Sequence, residues 1–277
     1  FRNFDSRMNV FDYLKRAHTH FPDKEAIAFK GTAMSYSDLY RQASQLSAAL
    51  RARFNLSRGD RVGIFLPNIP EFIVSYYAVA RVGAIAVSLN VMLKRDEVEF
   101  VLNDCGAKLL VTASHLLDQV PETVCSLKGI VCVGESVPAG LVRYQDLLSE
   151  SVEQIPVVSP DRHDGAAILY TSGTTGHPKG VLLTQGNLVS NVYATHHHTK
   201  MEPGDRLICY LPLFHCFGQN FIMNACVSAG ATLVLHERFV IDEILESIKT
   251  NAVSMFFGVP TVYLRLFALP AADKTLR

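Results

Sequence analysis

The stretch AAILYTSGTTGHPKGVLLTQGNL, residues 166–188, changes character twice. An apolar run, AAILY, gives way to a loop of hydroxyls and glycines that carries one lysine, Lys179. A second apolar run, VLL, follows, and Thr184 then stands before QGNLVSNVYATHH, where it can cap a helix. These patterns predict the order strand, loop, strand, helix. A loop of this composition cannot build a core. It is either an ordinary solvated hairpin, since Gly and Thr are common in turns, or a grip for something rich in oxygen. Glycines let backbone N–H groups turn toward an anion with no Cβ in the way. The hydroxyls of Thr171, Ser172, Thr174 and Thr175 can donate to phosphate oxygens, and Lys179 supplies a compact positive charge. A Walker A loop would read G-x-x-x-x-G-K-[ST] and run straight into a helix. Here Pro178 replaces the second glycine and Gly180 the Ser/Thr, so a P-loop NTPase is disfavoured.

The same alternation extends through the chain. SYSDLYRQASQLSAALRARF (35–54) places Leu39, Ala43, Leu46 and Leu50 at helical spacings after a capping box from Ser35 to Asp38. DRVGIFLP reads as a strand ended by proline. PEFIVSYYAVARVG reads as a helix with Pro70 in its first turn and Gly83 just past its end. AIAVSL, KLLVT and GIVCV read as strands and RDEVEFVLNDCG as a helix; AAILY, GVLLT, RLICYLP, ATLVLH and AVSMFFG continue the strands. Short apolar strands separated by helices predict parallel sheets covered on both faces. Residues 151–164 are polar, carry two prolines and lack periodicity. The expected organisation is therefore α/β, as two stacked subdomains with mostly parallel sheets: 1–150, a linker over 151–164, and 165–277 with the glycine-rich loop.

Bulk composition narrows the function classes. Of 277 residues, 49% are hydrophobic and 19% charged, as in a folded globular protein. Lys plus Arg equals Asp plus Glu at 26 each and no basic run stands out, which excludes a global field for nucleic acid or anionic membrane. Six cysteines without a C-x-x-C pair read as free thiols of a reducing, cytoplasmic protein. The longest apolar stretch, residues 72–93, is broken by Arg81 and Gly83, so no membrane span is expected. His196, His197 and His198 fan out about 100° apart on their predicted helix and cannot converge on a metal. No metal site is expected.

The segment ILYTSGTTGHPKGVLLTQGNL resembles the phosphate-loop signature of the adenylate-forming superfamily, of which acyl-CoA synthetases, peptide-synthetase adenylation domains and luciferases are members. His177 falls at the position that the signature leaves free. MSYSDLY (34–40), YAVARVGAIAVSLN (77–90), LPLFHCFG (211–218) and FFGVPTVY (256–263) agree in order and spacing, so the resemblance covers essentially the whole chain. It implies the N-terminal-domain fold of acyl-CoA synthetases and ATP-dependent conversion of a carboxylic acid to an acyl-adenylate, with Mg2+ assisting and coenzyme A taking the acyl group. It also implies that Thr171, Ser172, Gly173, Thr174, Thr175, Gly176 and Lys179 hold the triphosphate. His215 would lie beside the reacting carboxylate, and Phe214, Phe257, Gly258, Val259 and Thr261 would line the acid's pocket. Lys179 and His215 are the implied catalytic residues. Amino-acid-activating relatives carry an aspartate where this chain reads FHCF, so a fatty or other non-amino acid is expected. Structurally, His215 could be an ordinary core histidine and the phenylalanines mere core.

The expected partners are the acid, ATP and coenzyme A, with a homodimer left open. The resemblance also implies downstream elements that are not in this sequence: a magnesium-binding glutamate, a ribose-binding aspartate and a mobile domain with a catalytic lysine. The expectation is thus an N-terminal part, incomplete at its C-terminal end and inactive alone. The alternatives are an acyl-AMP ligase with another acceptor and an ATP-binding module without catalysis.

Overall fold

A computed structural model of the chain describes residues 8–150, 155–171 and 178–269. The first elements are α1 (Phe11–His20), β1 (Glu25–Phe29), β2 (Thr32–Ser35) and α2 (Tyr36–Phe54). Ser35 caps α2 as its spacing predicts: its Oγ accepts the Asp38 N–H at 3.0 Å and donates to the Asp38 carboxylate at 2.7 Å. Next come β3 (Arg61–Phe65), α3 (Pro70–Val82), β4 (Ile85–Ser88), α4 (Arg95–Asp104) and β5 (Leu109–Ala113). Gly83 ends α3 in the left-handed region at φ 78°, which a Cβ disfavours. After a 3-10 turn (Ser114–Gln119) follow β6 (Gly129–Val133), β7 (Val142–Arg143) and α5 (Tyr144–Ser149). The remainder comprises β8 (Gly165–Thr171), β9 (Lys179–Thr184), α6 (Gln185–Thr199), β10 (Arg206–Cys209) and a π-helix (Phe217–Asn224). It is completed by α7 (Ala225–Ala229), β11 (Thr232–Leu235), α8 (Ile241–Thr250), β12 (Met255–Phe256) and α9 (Pro260–Phe267).

The described strands form two sheets, one ordered β12-β10-β11-β1-β2 and the other β7-β6-β5-β3-β4-β8-β9. All pairings are parallel except β1–β2 and β8–β9. The sheets do not divide at residues 151–164. β1 pairs with β11 from the second half and carries β2 on its far side, and β8 and β9 extend a sheet begun by the first. Nor does that segment run free where it is described: Val158 N–H donates to the Arg81 carbonyl at 3.2 Å, and the Arg81 guanidinium to the Ile155 carbonyl at 2.7 Å.

Helix α3 explains the long apolar stretch. Every residue from Phe72 to Val82 is buried, so it is a helix covered on all sides and not a membrane span. Its residues join the main core cluster together with side chains from both sheets. Helix α4 covers the opposite face of the larger sheet, where Val98, Val101 and Leu102 pack with Phe65, Val87 and Leu110. Among the described residues no helix is long and apolar enough to cross a membrane.

Candidate active site

The expected strand–loop–strand–helix unit is present as β8, β9 and α6. Thr184 caps α6 by accepting the Asn187 N–H at 3.2 Å, while Asn187 Oδ1 accepts the Thr184 N–H at 3.0 Å. In the β8–β9 register Tyr170 faces Gly180 and Thr171 faces Lys179. Thr171 and Lys179 are thus the opposed pair from which the loop leaves the sheet, and both are exposed. Among the described residues Lys179 has no ion-pair partner. Ser172, Gly173, Thr174, Thr175 and Gly176 lie outside the described residues.

His215 sits in the turn after β10. Its N–H donates to the Pro212 carbonyl at 3.1 Å and its own carbonyl accepts the Gln219 N–H at 2.9 Å. The Phe217 N–H donates to His215 Nδ1 at 3.2 Å. With Nδ1 accepting, the neutral ring carries its proton on Nε2. His215 is exposed and Phe214 half-buried. Asn68, buried at the entrance to α3, clamps this turn: Oδ1 accepts the Leu213 N–H at 2.8 Å, and Nδ2 donates to the carbonyls of Leu211 at 2.9 Å and His236 at 3.2 Å.

The helix after His215 is a π-helix, a form enriched at functional sites. A Cβ at Gly218 would lie 2.3 Å from the Pro212 carbonyl oxygen, so this position cannot hold a larger residue without displacing the turn. Gln219 Nε2 donates to Ser88 Oγ at 2.7 Å and to the Leu213 carbonyl at 3.0 Å. Asn220 reaches Asn191 Oδ1 at 2.8 Å, and Asn224 joins Asn220 Oδ1 at 2.9 Å and Tyr76 Oη at 3.1 Å. Buried amide groups are usually hydrogen-bonded, and these are bonded except for Gln219 Oε1, which has no partner among the described residues. Here they tie the π-helix to α3, β4 and α6.

The loop and the histidine are connected through these contacts. Ser88 closes β4 and pairs in register with Leu169 of β8, two residues before Thr171. Ser88 holds Gln219, and Gln219 holds the turn that carries His215. Thr171 ends β8 of the larger sheet and His215 follows β10 of the smaller one, so each stands past the carboxyl end of a strand, where open α/β sheets bind ligands.

Aromatic rings connect His215's turn to the segment after β12. Phe217 and Phe221 lie 4.9 Å apart between centroids, and Phe221 meets Phe257 edge-on at 5.2 Å. Tyr210 Oη donates to the Phe257 carbonyl at 2.8 Å, and burial pushes this phenol well above its usual range, keeping it a donor. A Cβ at Gly258 would stand 2.8 Å from the same Oη. Val259 and Thr261 are exposed, at the cap and in the first turn of α9. The rings of Phe217, Phe221 and Phe257 thus link the turn that carries His215 to Phe257 and Gly258, while Val259 and Thr261 are exposed. Sequence reasoning passed over Asn68, Ser88 and Gln219. The detectable signal was the row of amides Gln219, Asn220 and Asn224 within an otherwise apolar segment.

A family model described as AMP-binding enzyme matches residues 14–277. A long-chain-fatty-acid–CoA ligase of Bacillus subtilis (strain 168) is 30% identical, across 90% of this chain and 50% of that protein. A feruloyl-CoA synthase of Amycolatopsis sp is 33% identical, across 90% of this chain and 48% of that protein. The chain spans about half the length of these curated relatives. The crystal structure of the anthranilate CoA ligase AuaEII in complex with anthranoyl-AMP superposes with a TM-score of 0.90 at 25% identity, over 97% of this chain and 53% of that one.

Proposed function

The chain belongs to the AMP-binding enzyme family, and from that premise we propose that the whole protein is an acid–thiol ligase acting on a non-amino carboxylic acid. A carboxylate oxygen attacks the α-phosphorus of ATP, the bond to the bridging oxygen breaks, and pyrophosphate leaves with the electron pair. The thiol of coenzyme A then attacks the acyl carbon, and AMP departs. The observation that carries this reading is the contact chain from Thr171 through Leu169, Ser88 and Gln219 to His215, which supports one site with a triphosphate end and an acid end.

The residues fit these tasks chemically. Charge moves toward the β- and γ-phosphates as pyrophosphate leaves. The Lys179 ammonium and the Thr171 hydroxyl, pre-aimed by the β8–β9 pairing, stabilise that charge more than they stabilise the ground state. Mg2+ bound with ATP neutralises part of the triphosphate charge, and the Thr171 hydroxyl is an oxygen donor of the kind such an ion accepts. The tautomer fixed by Phe217 leaves His215 Nε2–H to donate to the acid's carboxylate and hold it in line for attack. No carboxylate occupies Phe214–Cys216 to pair with an α-ammonium group, which favours a non-amino acid. The aromatic edges of Phe217, Phe221 and Phe257 suit an apolar or aromatic acyl body.

ATP–pyrophosphate exchange on the whole protein, with a panel of fatty, aromatic and amino acids, tests the reading. The expected result is exchange with a non-amino acid and thioester formation once coenzyme A is added. ATP binding without exchange for any acid overturns it in favour of a non-catalytic module. Exchange without thioester points to another acceptor.

A further inference from the structure

One pair of residues beside the loop has no part in the chemistry above. Tyr170 stands directly across from Gly180, one step before Thr171 and Lys179. Directly opposed antiparallel residues place their side chains on one face, close together. A Cβ at Gly180 would meet Tyr170 Cζ at 3.0 Å and Oη at 3.1 Å, so the ring lies across the bare glycine. Gly180 does not have a positive φ, and what it provides is therefore room for the ring. The hydroxyl donates to Asp104 Oδ2 at 2.6 Å, at the last residue of α4. It thereby joins the hairpin to the helix that covers this face of the sheet.

We propose that Tyr170 and Asp104 are a positioning pair: their bond fastens the β8–β9 hairpin to α4 and fixes the directions in which Thr171 and Lys179 meet a triphosphate. This rests on the reading of Thr171 and Lys179 under Proposed function. The need for such a fastening follows from topology. Among the described residues β9 is the edge strand of its sheet, paired only with β8, and its residues Lys179–Leu182 are exposed. An edge hairpin held on one side can twist and splay. An O–H···O⁻ bond is short, strong and directional, and it takes hold one residue from the pair that must be aimed. Burial, together with the Asp104 carboxylate, keeps the Tyr170 phenol protonated far into the alkaline range, so the donor persists at any working pH.

The test uses the whole protein and three variants: Tyr170→Phe, which keeps the ring over Gly180, Asp104→Asn, and the double variant. MgATP affinity is measured by calorimetry, the KM for the acid by exchange, and amide hydrogen exchange along β9 by mass spectrometry. Each single variant is expected to weaken MgATP binding about fivefold to tenfold and to speed exchange at Gly180 and Val181. The acid's KM should move less than about twofold. The double variant should be no worse than the singles, because both remove one bond. Unchanged MgATP affinity with only a lowered Tm, or additive effects, would overturn the positioning role. MgATP binding by the parent protein without exchange for any acid sinks the ligase reading but leaves the affinity comparison decisive for this pair. Failure of the parent to bind MgATP sinks both.

Discussion

At the scale of single residues, Lys179 is the sharpest commitment. It is exposed, lacks an ion-pair partner among the described residues, and stands opposite Thr171 at the loop's departure from the sheet. An ammonium held this way costs little to present, since it stays hydrated until a phosphate replaces the water. Its benefit should appear mainly as charge builds on the leaving pyrophosphate. Lys179→Met in the whole protein is therefore expected to lower kcat for exchange by on the order of 10²-fold, with a smaller rise in the KM for ATP. Because the side chain is exposed and has no ion-pair partner among the described residues, urea unfolding should be unchanged within about 0.5 kcal/mol. A loss of stability that matches the loss of activity would remove Lys179 from the proposed chemistry. The type and spacing of this residue were legible in the sequence. Tyr170 and Gly180 were not, because the need for a glycine there arises from a ring on the facing strand.

At the scale of elements, the local code was read well wherever it is local. Ser35 before Asp38, Pro70 and Gly83 around α3, and Thr184 before α6 all fix helix ends through groups a few residues apart. The π-helix was invisible for the opposite reason. Its wider turn is held by distant partners, Ser88, Tyr76 and Asn191, and by the close approach of Gly218 to Pro212. Gly218→Ala puts a methyl against carbonyl oxygens of Leu211 and Pro212 at 2.8 and 2.3 Å, where the contact is with backbone and cannot rotate away. The expected cost is about 1–3 kcal/mol in urea unfolding, from overpacking. The turn that carries His215 must move with it, so the KM for the acid should rise more than the KM for ATP. Equal rises in both would mean that the π-helix is scaffolding for the whole site and not for its acid end.

At the scale of the molecule, the sequence rhythm separates readily into 1–150 and 165–277, and the sheets recombine those parts. β1 and β2 complete a sheet whose other strands come from the second half, while β8 and β9 complete one built by the first. Strand pairing between residues this far apart, as in Ala86 with Ala167 and Ile27 with Leu233, leaves no trace in local periodicity, so this crossing could not be read ahead of the fold. Its energetic consequence is definite. A chain cut between the halves leaves β1–β2 as a two-stranded ribbon without β11, too small to be stable in water. The same cut deprives β4 of the neighbour that covers its open edge. The core cluster that α3 shares with β10, β11 and the π-helix would be divided, and Tyr77 would lose its bond to Asn224 at 2.9 Å. The 277-residue chain should therefore unfold in a single cooperative transition, with circular dichroism and tyrosine fluorescence coincident. Residues 1–150 and 165–277 produced separately should each lack a cooperative transition and regain one only when mixed. Two resolved transitions in the chain, or a folded 1–150 on its own, would show that each half holds its own core and that the crossed pairing contributes little to stability.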